Sequence, residues 1–260
     1  MLSRIMGRLN LSGAATIVAG LLVWEIAIRT GILSFNYLPP PSRVVVGLGE
    51  LVSSGELQTN LQHTVVAALS GWILAAGVGI ALGALLGLLR PLWRYSMASV
   101  EALRSLPIVA FVPVAVLLLG FTTKMEIVVA FYAALWPILL NTYGGIRSVD
   151  RSLIEVGNVM GLSYLASLWK LRLPAATPYI VVGLRLGLAV SFVLTLVAEM
   201  IGNPAGLGFA LVQKGEALKS AQMFAYVVVI GLVGVVLNSV LMTLARGILR
   251  GQMAASGDTT

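Results

Sequence analysis

Arg147-Ser-Val-Asp-Arg-Ser-Leu-Ile-Glu-Val-Gly-Asn-Val-Met-Gly-Leu-Ser-Tyr-Leu-Ala-Ser-Leu-Trp-Lys-Leu-Arg-Leu-Pro174 is a hydrophilic interruption between two apolar runs. It carries Arg147, Asp150, Arg151, Glu155, Lys170 and Arg172, while each flanking run is long enough to cross a bilayer. A connection of this length persists in a compact protein when it carries function, which here means that something docks on it. Three fixed points stand out: Glu155, Gly161 six positions later, and the closing Leu171-Arg172-Leu173-Pro174.

Outward from this stretch, composition names the solvent. The chain has 260 residues, 58% of them hydrophobic and 10% charged, and a mean hydropathy of +0.98. A soluble domain carries about 25% charged residues, so lipid must cover much of this surface. The formal net charge is +7, but the cations are spread thinly, with no basic run interleaved with aromatics. Nucleic-acid binding is therefore not expected. Without cysteine there are no disulfides and no thiolate metal sites. The single histidine, His63, excludes a His-cluster metal site, and no metal or cofactor is expected on this chain. No Gly-x-x-x-x-Gly-Lys-Ser/Thr loop is present to cradle a nucleotide.

Hydropathy predicts an all-α polytopic membrane protein, a single domain over 1–260 with about six spans. These fall near 11–32, 64–89, 95–121, 125–146, 175–201 and 223–249. A cleaved signal peptide competes for the first run, but the run is long and no small-x-small site closes it. Glu25 and Arg29 stand four apart, acid first, the favourable helical order for a surface pair. Pro39-Pro40-Pro41 forces an extended strut, followed by a weakly amphipathic stretch over 43–57. Gly79, Gly83 and Gly87 share one face of the second span and permit close helix contact. Pro107 and Pro113 interrupt the third span, either as a simple kink or as a kink lining a pathway. Tyr132, Trp136 and Tyr143 share a face of the fourth span, where packing is the ordinary role and a substrate-facing one the alternative. Arg185 and Glu199 lie within the fifth span; 14 positions apart, about 21 Å along a helix, they cannot pair. Ionisable groups at membrane depth mark function by default. Candidate pathway or gate residues are thus Phe111, Tyr132, Trp136, Asn141, Arg185 and Glu199. A turn over 202–208 and a short amphipathic stretch over 209–221 lead to the last span.

Charge predicts the orientation. With the N-terminus inside, one side holds Arg4, Arg8, Arg90, Arg94, Arg104, Arg147, Arg151, Lys170, Arg172, Arg246 and Arg250. The other holds Arg29, Arg43, Lys124, Lys214 and Lys219. That bias places both termini and the 147–174 loop in the cytoplasm.

The Glu155–Gly161–Leu173-Pro174 spacing resembles the EAA loop of permease subunits of ATP-binding-cassette importers. In that pattern Glu-Ala-Ala is followed by three residues, Gly, nine residues and Ile-x-Leu-Pro. Here Val156 and Gly157 replace the alanines and Leu171 replaces the isoleucine. Trp24-Glu25, the 38–42 Leu-Pro-Pro-Pro-Ser run, the proline-rich 106–113 segment and Gly183-Leu184-Arg185 with Glu199 are similar to the nitrate/sulfonate/taurine branch. Gly71 stands where many members carry arginine. The resemblance implies a type I importer permease fold in a bacterial inner membrane and makes Arg185 and Glu199 gate or scaffold elements. It also implies two ATPase subunits that bind ATP and Mg, a second permease copy (identical or closely related) and an extracytoplasmic solute-binding protein. Glu155, Gly161, Leu162, Ser163, Tyr164, Leu165, Leu168, Leu173 and Pro174 would form the ATPase-coupling loop, with Glu155 held by Arg151. The cargo would be a small anion such as sulfonate, taurine or nitrate, or a small heterocycle.

Three other readings of the loop and the chain compete. An amphipathic helix on the lipid surface leaves the Glu-to-Gly spacing unexplained. An intramembrane serine protease would need Ser70 and His63 as a dyad, but they sit seven apart on one helix. A structural subunit of another membrane complex is the remaining alternative, and it predicts no nucleotide-dependent change in accessibility.

Overall fold

The structure is a computed structural model that describes residues 11–32 and 37–257. The N-terminal segment with Arg4 and Arg8 lies outside the described residues. Among those described, the chain is helix and connecting turn, without a strand. Four helices are long and apolar enough to cross a membrane, or five if one bent pair counts as a span. Helix α1 (Leu11–Arg29) adds 19 residues, about 28 Å at 1.5 Å per residue.

Packing divides the chain into two compact units. The smaller draws on Met1–Thr59 and Ala210–Val229. It holds α1, α2 (Pro41–Ser53) and parts of α10 (Leu207–Glu216) and α11 (Ser220–Gly257). The proline run ends in an extended Pro40, and Pro41 opens α2, where a missing N–H costs nothing. Glu25 accepts from the Ser42 N–H at 2.9 Å and the Ser42 hydroxyl at 2.8 Å, satisfying an orphan donor of the first turn. The same carboxylate meets Arg29 at 2.5 Å, so the expected surface pair also caps a helix. Farther along, Glu56 accepts from Lys214 at 2.8 Å and from the Tyr226 hydroxyl at 3.2 Å.

The larger unit draws on Asn60–Phe209 and Ile230–Thr260. It contains most of α3 (Glu56–Leu88), α4 (Arg90–Arg104), α5 (Ile108–Leu119), α6 (Thr123–Arg147) and α7 (Arg151–Val159). It continues with α8 (Tyr164–Ser167), a π-helical turn over Leu168–Arg172 and α9 (Leu173–Gly202). Helix α6 is its axis. The glycine face of α3 lies on α6, as predicted: a methyl on Gly83 would stand 2.6 Å from the Leu139 carbonyl and 2.7 Å from Thr142 Cβ. A methyl on Gly71 would stand 2.6 Å from Ala130 Cβ. An arginine at position 71 would have no room. Gly183 and Gly187 of α9 likewise admit Asn141 and Ile138 of α6. Val112, Ala115, Met125, Val129, Ala133, Leu194 and Ala198 close the core among α5, α6 and α9.

Two expectations change. In place of one kinked helix over 95–121, the segments Pro91–Arg104 and Ile108–Leu119 meet at 83°. The residue before a proline is steered out of the α region, and the break falls at Ser105–Pro107, while Pro113 sits inside α5 without ending it. Pro174 does stand in the first turn of α9, but the residues before it are not a loop. The chain is already helical from Tyr164, and one apolar helical stretch runs Leu165–Gly202. Pro174 offers no N–H to the carbonyl four residues back, so the ladder widens to a π turn in which the Leu173 N–H reaches the Leu168 carbonyl.

Candidate functional site

The 147–174 segment folds as a helical hairpin tip. Asp150 caps α7 by accepting from the Ser152 N–H at 2.9 Å. That bond holds the Asp150 carboxyl below the ordinary aspartate range. The cap is therefore present above that range and is lost as pH falls through the lowered value. At the other end of α7 the chain reverses through Gly161, at φ +70°. The Gly161 N–H donates to the Asn158 carbonyl and the Leu162 N–H to the Gly157 carbonyl, both at 3.0 Å. This is a Schellman closure, and it is why glycine stands at the fixed point of the spacing. Ser163 then accepts from the Ala166 N–H at 3.3 Å and starts α8.

The closure sorts the predicted anchors. Leu162 and Leu173 are half-buried, and Leu168 packs toward Ala84, Ile146 and Ala176. Leu165 is exposed and lines an apolar groove beside Ala84 and Leu85 of α3, and the Tyr164 side chain lies outside the described residues. Val156, Val159, Met160 and Trp169 join Leu165 as an exposed apolar tip, with Val159 89% exposed. Sequence reasoning did not single these four out. The signal was there, since each is a large apolar residue inside a hydrophilic interruption. Glu155 meets Arg151 at 3.7 Å as expected, but both are exposed, so the pair contributes little. Gly157 does the holding: a methyl there would stand 2.6 Å from Leu171 Cδ1.

The pathway candidates separate into three settings. Phe111 stacks on Tyr132 at 5.1 Å, Tyr132 meets Trp136 edge-on at 5.6 Å, and the Tyr132 hydroxyl donates to the Leu103 carbonyl at 2.6 Å. Tyr143 stacks instead on Trp93 at 3.7 Å. Asn141 turns onto its own helix, donating to the Pro137 carbonyl at 2.7 Å. Arg185 donates to Asn238 of α11 at 2.9 Å and lies on a groove of about 370 Å³ with Leu188, Phe192 and Gly234. No carboxylate among the described residues forms an ion pair with it.

Glu199 and Arg185 do not meet, as their spacing required. Glu199 is fully buried where α3, α6 and α9 end together. It accepts from the Thr64 hydroxyl and from the Gly208 N–H, each at 2.7 Å. The Leu207 N–H donates to Thr64 Oγ1 at 2.8 Å, so Glu199 and Thr64 satisfy two orphan donors at the start of α10. A side chain at Gly206 would collide with this carboxylate. Beside it, His63 Nε2 lies 2.9 Å from buried Glu126, and Asn203 Nδ2 reaches both of them. Sequence reasoning missed His63, Glu126 and Asn203 as a group because they come from positions 60 to 140 residues apart. His63 is engaged here, with its Nε2 on Glu126 and Asn203 rather than Ser70.

A family model for the binding-protein-dependent transport system inner membrane component matches residues 74–252. An aliphatic sulfonates transport permease protein of Bacillus subtilis is 32% identical over 235 residues, 90% of this chain and 85% of that protein. A nitrate import permease protein of Leptolyngbya laminosa is 30% identical over 184 residues, covering 71% of this chain and 64% of that protein. Among solved structures, an inward-facing form of the MetNI methionine ABC transporter aligns with a TM-score of 0.65 at 20% identity. That alignment covers 75% of this chain and 97% of the other.

Proposed function

This chain belongs to the family of binding-protein-dependent transport system inner membrane components, and on that premise we propose how it works as a permease. It is a membrane-embedded ABC importer subunit of the sulfonate- and nitrate-permease kind, not an enzyme, and ATP hydrolysis is the partner's task. In our reading the 150–169 tip seats in a groove of a cytoplasmic ATPase subunit, with two such subunits serving two permease copies. An outer solute-binding protein delivers cargo, and alternating tilts of the paired permeases pass it inward.

The observation that carries this reading is the exposed apolar tip of Val156, Val159, Met160, Leu165 and Trp169 on a chain reversal fixed by Gly161. An exposed apolar patch beside charged residues marks an interaction site. The tip continues into α9 without a flexible linker, so a push on it moves a span. The charge bias read from the sequence puts this tip and the C-terminus in the cytoplasm, where ATP is. For cargo we propose a small anion such as a sulfonate, taurine or nitrate, or alternatively a small heterocycle. The relatives' names and the groove at Arg185, a cation with only a neutral partner, support the anion.

The chain lacks cysteine, which makes the test clean. With Met160→Cys in the permease and a cysteine in the groove of a co-expressed ATPase subunit, a crosslink whose yield changes with ATP is expected. No crosslink from Met160, Leu165 or Trp169 in an intact complex would refute the coupling role. A structural subunit would likewise show no nucleotide-dependent change.

A further inference from the structure

The buried group at the common end of α3, α6 and α9 has a charge problem that transport does not explain. Glu126 and Glu199 are both 0% exposed. Among the described residues, neither forms an ion pair with a lysine or arginine; His63 is the one basic group at hand. Neutral donors reach both carboxylates: Asn203 on Glu126, and Thr64 and Gly208 on Glu199. Such bonds orient a carboxylate but bring no opposite charge to it.

We propose that this cluster binds one divalent transition-metal cation of the zinc or manganese class. The ligands are His63 Nε2 and one oxygen each of Glu126 and Glu199. These ligand atoms all lie within 4.8 Å of one another. Two ligands about 2.1 Å from a tetrahedral ion stand roughly 3.4 Å apart. The Nε2–Oε2 and Nε2–Oε1 separations of His63 and Glu126 are 2.9 and 3.1 Å, so the pair opens by a few tenths of an ångström to admit an ion. The Asn203 amide faces both of these groups. Its nitrogen and oxygen are interchangeable by a flip, which offers Oδ1 as a fourth ligand. Thr64 and Gly208 then serve as the outer shell that fixes Glu199, whose oxygens each keep a second lone pair for the metal.

The chemistry selects the ion. Calcium and magnesium take oxygen sets, and Mg²⁺ keeps several waters, whereas imidazole with carboxylates suits zinc or manganese. This set of one histidine and two carboxylates is not the histidine cluster that a single His rules out. Both carboxylates are buried while His63 keeps a partly exposed edge by which an ion can enter, and the ion's role is to tie three spans and the 203–208 turn together. It stands independently of the coupling role proposed above.

The test uses the full-length chain without a polyhistidine tag, stripped with chelator and titrated with zinc chloride or manganese chloride. We expect about one ion per chain by elemental mass spectrometry, and a thermal midpoint raised by roughly 5–10 °C at a free-ion concentration a hundredfold above Kd. His63→Gln and Glu126→Gln each abolish the stoichiometric ion. Uptake of neither metal with an unmoved midpoint would overturn the proposal and assign the missing charge to protons. Retention of the ion in both variants would also overturn it, by placing the ion elsewhere. If the variants fail to fold, X-ray absorption on the zinc-loaded wild type decides. One imidazole nitrogen with oxygen ligands at about 2.0–2.2 Å supports the site, and a spectrum without imidazole refutes it.

Discussion

Replacing Gly161 by alanine isolates a torsional cost from a steric one. The residue sits at φ +70°, and a methyl built on it would meet nothing within 4 Å. Alanine in the left-handed region costs about 1–2 kcal/mol. Against this, alanine restricts the unfolded chain and returns about 0.4–1 kcal/mol. The net is about 1 kcal/mol, roughly a fivefold shift in the equilibrium between the closed turn and its open form. The bond that reports it is the Leu162 N–H to the Gly157 carbonyl. Hydrogen exchange followed by mass spectrometry across 157–167 should show about a fivefold loss of protection in Gly161→Ala. Gly161→Asn, whose side chain tolerates this region, should lose less. Equal exchange in wild type and both variants, or a greater loss in the asparagine variant, would refute the claim that the turn needs a left-handed residue.

Three further outcomes follow from the packing. Gly83→Ala should lower the thermal midpoint through overpacking of about 1–3 kcal/mol, because its neighbour is a backbone carbonyl that cannot yield. Gly77→Ala, with nothing within 4 Å, should leave the midpoint level or raise it. Thr64→Val strips a donor from buried Glu199 and an acceptor from the Leu207 N–H, an expected loss of about 2–4 kcal/mol in chemical denaturation, which Thr64→Ser largely restores. Gly157→Ala restores the family letter and meets only Leu171 Cδ1, the end of a flexible side chain that can turn away, so alone it should cost less than Gly83→Ala, and the double variant with Leu171→Ile should recover what it loses. A double-mutant cycle should show coupling of about 0.5–2 kcal/mol. For cargo, Arg185→Gln should reduce uptake of a labelled sulfonate or nitrate while leaving ATPase activity coupled to the complex.

The parts legible in the sequence are those whose cause is local. The Gly79, Gly83 and Gly87 stripe announces a close helix contact because a 3.6-residue period puts all three on one face. Gly161 is legible because a reversal after a short helix needs a left-handed residue. Arg185 and Glu199 could be kept apart by rise per residue alone. The parts that were not legible depend on partners distant in the chain. His63, Glu126 and Glu199 come from three different helices, and no window of sequence contains two of them. The role of Gly157 depends on Leu171, which returns beside it only after the chain has reversed at Gly161. Pro107 and Pro113 look alike as letters. One falls at a helix start and marks an 83° bend, while the other is absorbed inside a helix.

These contacts bear on how a push at the tip could reach the pathway. The helical stretch Leu165–Gly202 has 38 residues, about 57 Å at 1.5 Å per residue. Its tip end carries the exposed apolar cluster and its far end is held by the Glu199 bonds to Thr64 and Gly208. Between them, Gly183 and Gly187 bring α9 into backbone contact with α6, including the Pro137 carbonyl at 3.1 Å from a methyl built on Gly183. A helix locked along its length to a neighbour cannot slide or bend by itself, because interdigitated packing resists continuous deformation. Motion imposed at the tip must therefore carry α6 and α9 together as one body. The point free to absorb it is where the ladder is already interrupted, the π turn before Pro174. Arg185 lies on the moving body, seven residues beyond Pro178. In the proposed cycle a tilt relayed through that turn would carry Arg185 with the α6–α9 body without breaking the bonds at either end.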